Sequence, residues 1–145
     1  MNILFVCTGN TCRSPMAEGI FNALQMPNFQ AKSAGLYTQN GLPASIYANI
    51  FCEKVGKYYH QSQMLTEDLI TWADLILTMT VEHKQWIENI YHKNLSLYTL
   101  KEYIGDKDLN ISDPYGQGEV VYQRTFAELE RVIHLLIEKI SKKKQ

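Results

Sequence analysis

Residues Asn2–Cys7 (NILFVC) form an almost unbroken apolar run with β-branched and aromatic members, which stops at Thr8-Gly9-Asn10. Such a run predicts a strand buried on both faces, as in parallel sheets. Ser14 followed by Pro15 reads as an N-cap and a first helical position, and Met16, Ala17, Ile20, Phe21 and Leu24 recur at helical spacing until Pro27 closes the unit. The chain therefore opens as strand, tight loop, helix. A second strand is expected over 29–33 and a helix over 43–55, opened by Pro43, whereas 36–64 is otherwise weakly patterned. Thr66-Glu67-Asp68 caps a short helix, 73–79 (ADLILTM) is a buried strand, Val81–Ile90 a helix and 95–99 a fourth strand. Residues 103–118 are rich in Gly, Asp and Pro and read as a loop. Over 119–139, Val121, Phe126, Leu129, Val132, Ile133 and Leu136, with Ile140 just beyond, mark a long amphipathic closing helix. Strands alternating with helices predict an α/β fold, a parallel sheet with helices on both faces. No repeat, low-complexity tract or linker interrupts this pattern, so 1–145 reads as a single domain.

Composition narrows the function classes. A chain of 145 residues, 46% hydrophobic and 20% charged, is long enough for one substantial core. Fourteen basic against fifteen acidic residues give a formal charge of −1, which argues against nucleic acid or an anionic membrane as partner. The one basic run, Lys142-Lys143-Lys144, reads as a solvated C-terminus. The opening apolar stretch is too short for a signal or membrane segment and lacks basic residues before it, so a cytoplasmic protein is expected. Cys7, Cys12 and Cys52 are an odd number in a chain with an adequate core, so no disulfide framework is expected. His60, His83, His92 and His134 are scattered and no Cys-x-x-Cys occurs, so neither metal nor other cofactor is expected.

The chemistry concentrates between the first strand and its helix, in Cys7-Thr8-Gly9-Asn10-Thr11-Cys12-Arg13-Ser14. In open α/β sheets, ligands bind beyond the carboxyl ends of strands, and a loop entering a helix offers unpaired N–H groups and a favourable dipole to an anion. A phosphate fits there. The helix end and Arg13 favour the thiolate form of Cys7, and the planar fork of Arg13 can hold two phosphoryl oxygens. Between Met1 and Gln30 only Arg13 and Glu18 carry charge, so nothing nearby dilutes that field. Composition alone yields about 0.007 chance matches to Cys-x5-Arg-[Ser/Thr], so the motif is specific. Phosphoryl transfer to a thiolate also needs a proton for the leaving group. Asp113, in Asp113-Pro114-Tyr115-Gly116 after the fourth strand, can reach the same sheet edge, where Tyr115 and Tyr37 are candidate aromatic walls.

CTGNTCRS, Ser33-Ala34-Gly35 after the second strand, and DPYG at 113 together resemble the low-molecular-weight protein tyrosine phosphatase family over essentially the whole chain. The resemblance implies a flavodoxin-like sandwich with strand order 2-1-3-4. It also implies Cys7 as nucleophile, Arg13 as phosphate ligand, Asp113 as acid and then base, and no metal. Thr8, Gly9, Asn10, Thr11, Cys12 and Ser14 form the phosphate-binding set, with Asn10 and Ser14 shaping the loop and stabilising the thiolate, and Tyr115 beside it. Thr11 resembles the bacterial protein arginine phosphatase branch, where tyrosine-directed members usually carry an aliphatic residue. A hydroxyl there can orient a water or guanidinium nitrogen and meets a phenyl ring less well. Met79-Thr80-Val81-Glu82-His83-Lys84 resembles the same branch, and Gln63 stands where many tyrosine-type members have arginine. Cys12 resembles the second loop cysteine that captures an oxidised nucleophile as a disulfide. Cys52 reads as core, and His83 and Lys84 as a solvated helix face.

The expected activity is thus hydrolysis of phosphoarginine in proteins through a phosphocysteine by a monomeric enzyme, with phosphotyrosine as the alternative substrate. Arsenate reductase shares the fold and loop, but its thioredoxin-coupled kind needs two later cysteines, and none follows Cys52. A sugar-phosphotransferase carrier domain also phosphorylates a cysteine after its first strand, yet has little use for Arg13 together with Asp113.

Overall fold

The computed structural model describes residues 1–91 and 94–143. His92, weighed above as a metal ligand, and Lys144 of the basic tail lie outside the described residues. Four parallel strands, β1 (Asn2–Cys7), β2 (Gln30–Gly35), β3 (Leu75–Thr78) and β4 (Leu97–Thr99), form one sheet in the order β2-β1-β3-β4. The expected topology is the one observed.

The helices are α1 (Arg13–Ala23), α2 (Ile46–Lys54), α3 (Glu67–Trp72), α4 (Val81–Ile90), α5 (Leu100–Tyr103) and α6 (Glu119–Lys143). Side chains alternate across a strand, so β1 feeds two cores. Ile3, Phe5 and Cys7 join Met16, Phe21, Phe51, Leu129 and Ile133 from α1, α2 and α6. Leu4 and Val6 join Ile70, Ile76, Ile87 and Leu97 on the face of α3 and α4. All five β1 residues from Ile3 to Cys7 are buried, as the apolar run requires.

Three local expectations change. α1 begins at Arg13 with Cys12 as N-cap, and no side chain caps it. Ser14 therefore lies inside the first turn, with its hydroxyl turned to the loop. β2 runs to Gly35, bringing that residue opposite Cys7 in register. α2 starts at Ile46 with Ser45 as its N-cap, whose free N–H donates to the Thr11 carbonyl at 2.9 Å. The short α5 was not expected from the pattern. It exists because Thr99 and Glu102 cap each other's backbone reciprocally.

Candidate active site

The Cys7–Ser14 loop is held by its neighbours in a fixed shape. Asn10 adopts a left-handed φ of 56°, which its short polar side chain tolerates. The backbone N–H of Gln63 donates to Asn10 Oδ1 at 2.9 Å and so fixes which way the amide faces. Asn10 Nδ2 then gives its two protons to Ser14 Oγ at 2.9 Å and Ser33 Oγ at 2.8 Å. Ser33 passes its proton to Glu18, which Lys57 pairs. Ser14 accepts from Asn10, so its own proton faces Cys7 Sγ, 2.8 Å away. The Ser14 hydroxyl is thus a hydrogen-bond donor to that sulfur.

Backbone fit completes the loop. The N–H groups of Leu36 and Tyr37 donate to the carbonyls of Cys7 and Thr8, at 3.1 and 2.9 Å. A Cβ on Gly35 would stand 2.9 Å from the Thr8 carbonyl and 3.0 Å from Asn10 N, both backbone atoms. Only glycine lets β2 approach so closely. The helix beyond lacks both a capping side chain and first-turn acids, leaving its N-terminal field unopposed.

A cavity of about 280 Å³ opens over this loop, lined by Cys7, Thr8, Gly9, Thr11, Cys12, Arg13, Asp113 and Tyr115. Asn10 and Ser14, expected in the phosphate-binding set, stand fully buried behind it. Arg13 is itself buried. It donates to the Ile111 carbonyl at 3.1 Å and pairs with Asp113 at 3.5 Å. Asp113 is more than half exposed and accepts the Tyr115 N–H, so the turn that carries it also orients it. Ser112, just before it, is tied to Glu128 at 3.1 Å, and Glu128 pairs with the buried Lys101 at 2.6 Å. Tyr115 forms a wall as expected. Tyr37, in contrast, lines an adjoining groove with Thr38, Gln39, Leu42 and Met64. That groove shares Gly9 and Thr11 with the cavity.

The profile of the family described as low molecular weight phosphotyrosine protein phosphatase matches residues 2–145. The chain belongs to that family. It is 40% identical over 140 residues to the protein-arginine-phosphatase of Geobacillus stearothermophilus, covering 95% of each. It is 39% identical over 137 residues to the low molecular weight protein-tyrosine-phosphatase PtpB of Staphylococcus aureus, covering 92% of this chain and 94% of the other. Among solved structures, the YwlE arginine phosphatase from Geobacillus stearothermophilus superposes with a TM-score of 0.92 at 39% identity, covering 99% and 94% of the two chains. A cysteine-to-serine variant of a YwlE arginine phosphatase, with a phosphorylated active-site serine, gives 0.92 at 37% identity, covering 98% and 97%.

Several residues packed around the loop or elsewhere in the core were not among the candidate site residues read from the sequence. His60 Nε2 meets the Asn10 carbonyl at 2.7 Å. Burial lowers its tendency to protonate, and that hydrogen bond opposes the effect. Tyr122 OH meets Cys12 Sγ at 3.3 Å beside Ser45. Burial first, and then that bond, push the phenol up to about 12. His83, read as solvated, is buried, and Lys84 is half-buried and paired with Glu102 at 3.0 Å. His83 lies four residues before Ile87 and so shares the buried face of α4. Cys52 is core, its thiol pushed up to about 12 by burial despite Lys57. Among the described residues no helix is long and apolar enough to cross a membrane, and no cluster of His, Cys, Asp or Glu could hold a metal ion.

Proposed function

We propose that the protein is a cysteine-dependent phosphatase that removes phosphate from phosphoarginine in proteins. The observation that carries the reading is one cavity where Cys7, Arg13 and Asp113 converge on a loop with an unopposed helix N-terminus, with Thr11 on its wall. In the first displacement Cys7 Sγ attacks phosphorus, the S–P bond forms and the bond to the guanidine nitrogen breaks. The Asp113 carboxyl gives its proton to that nitrogen. Water then attacks phosphorus, losing a proton to the Asp113 carboxylate, and the S–P bond breaks to release phosphate and the thiolate. Arg13 and the loop N–H groups hold the phosphoryl oxygens through both steps.

Arginine as the bearer of the phosphate is supported by the Thr11 hydroxyl and by the two arginine phosphatases to which the chain is 40% and 38% identical. The phosphorylated serine in the superposable variant supports a covalent intermediate at Cys7. A phosphotyrosine substrate is the second reading, favoured by the similarity to PtpB. The deciding experiment compares kcat/KM for phosphate release from matched phosphoarginine and phosphotyrosine peptides, with Cys7→Ser as the inactive blank. Arginine preference that Thr11→Ile shifts toward tyrosine supports the reading. Tyrosine preference in the unaltered protein overturns it. The same proposal includes a cytoplasmic location, a monomeric state and capture of oxidised Cys7 by Cys12.

A further inference from the structure

His83 sits between two hydrogen bonds, and the direction of the first sets that of the second. The backbone N–H of Thr80 donates to Nδ1 at 3.2 Å, closing a capping box in which Thr80 Oγ1 accepts the His83 N–H at 3.3 Å. An Nδ1 that accepts carries no proton, so the neutral ring holds its hydrogen on Nε2. Nε2 lies 2.9 Å from Thr8 Oγ1. The imidazole therefore donates to the threonine. A hydroxyl has one proton to give, and here it is not needed for the histidine. Thr8 lines the cavity together with Cys7 and Arg13.

We propose that His83 is a positioning residue for the phosphate site: by donating Nε2–H to Thr8 Oγ1 it turns the Thr8 proton into the cavity, as a side-chain donor to a phosphoryl oxygen. The helix that carries His83 is thereby coupled to a loop 75 residues away in sequence. Two further features fit. The ring is buried beside Arg13, so a neutral donor serves where a second cation would be expensive. In addition, the capping box that fixes the ring belongs to a ten-residue helix, so the tautomer is set by secondary structure rather than by substrate. The inference rests on the reading of the Cys7–Ser14 loop as the phosphate site.

The test is a double-mutant cycle on the full chain, with kcat/KM for a phosphoarginine peptide as readout. Thr8→Val and His83→Leu should each lower it by about tenfold, the scale of one hydrogen bond to a charged group, while the double variant falls no further. His83→Gln presents an acceptor to Thr80 and a donor to Thr8, and should recover most of the loss. Independently, 15N-edited NMR of the unaltered protein at neutral pH should show His83 as the Nε2–H tautomer. A cycle in which His83→Leu costs the same with and without the Thr8 hydroxyl overturns the proposal, because the histidine then acts through folding alone. An Nδ1–H tautomer also overturns it. An inactive reading of the whole loop shows itself separately, as Cys7→Ser retaining turnover.

Discussion

Arg13 Nη2 stands 3.5 Å from Asp113 Oδ2 across the mouth of the cavity. The guanidinium is buried and the carboxylate is 56% exposed, so the pair joins a fixed cation to a carboxylate on a turn at the surface. A phosphoryl group entering the cavity competes with Asp113 for the same cation. In the proposed mechanism the residue that supplies the proton also holds the phosphate's place.

Asp113→Asn should therefore separate two effects. Removing the competing charge tightens inhibition by inorganic phosphate by about two- to fivefold, the scale of a solvent-screened ion pair. Removing the acid lowers kcat by roughly 10²-fold for a leaving group that needs protonation, and less for an activated aryl phosphate. Steady-state kinetics with phosphate as competitive inhibitor reads both. Weaker phosphate inhibition would contradict the competition.

Gly35→Ala should injure the loop before it injures the fold. The added methyl meets the Thr8 carbonyl and the Asn10 nitrogen near 3 Å, and neither can swing aside as a side chain would. Overpacking of this kind costs about 1–3 kcal/mol. Thermal melting should show a modest drop, with kcat/KM falling much further. Retention of activity would show that the loop can shift without losing its shape.

Lys101 and Glu128 do not line the cavity, yet they hold the turn that carries Asp113, through Ser112. Glu128→Gln keeps a partner for Ser112 but weakens the lysine pair, whereas Lys101→Met leaves a carboxylate facing an apolar stem. The second should lower stability more. Both should lower turnover of poor leaving groups more than that of good ones, because the acid and not the loop is displaced. A uniform loss over leaving groups in a phenyl phosphate series would refute the link.

The histidines predict how stability responds to acid. Burial first, and then Arg13, push His83 down to about 4, with Asp113 partly opposing. In the unfolded chain a histidine takes up its proton near 6.5. Below that pH the unfolded state binds a proton that the folded state refuses, so stability is complete above about pH 6.5 and is lost as pH falls toward about 4. His60 acts in the same direction. Urea titrations at pH 7 and pH 5 should show the loss, and His83→Gln should reduce it. An identical loss in that variant would place the titration elsewhere.

The parts legible from sequence are those whose signal is local. The β1 run, the α4 boundaries and the Thr66 cap all rest on neighbours within a few residues, and each stands where its pattern puts it. The convergence of Cys7, Arg13 and Asp113 on one cavity was legible because a rare motif and a turn signal point to one sheet edge. Ser14 was misread because Ser-Pro signals a cap wherever it occurs, whereas here Asn10 and Cys7 claim the hydroxyl. His60, His83 and Tyr122 gave no signal of the contacts they make. Their partners lie 50, 75 and 110 residues away, and one buried polar residue leaves no periodicity behind.

The clasp around Asn10 has a consequence for how the protein is made. The loop is complete within the first fourteen residues, but Gln63 N–H and His60 close it from beyond residue 59, and Ile111 and Asp113 meet Arg13 later still. A nascent chain that has emerged only as far as β2 carries the thiol loop with its Ser14 and Ser33 bonds, but neither the Gln63 and His60 contacts nor the partners of Arg13. Long-range closure of this kind comes late in folding. A chain stopped before residue 111 would hold the thiol and Arg13 without the carbonyl and carboxylate that meet that guanidinium, so turnover is expected to report the arrival of the C-terminal half rather than the presence of the motif.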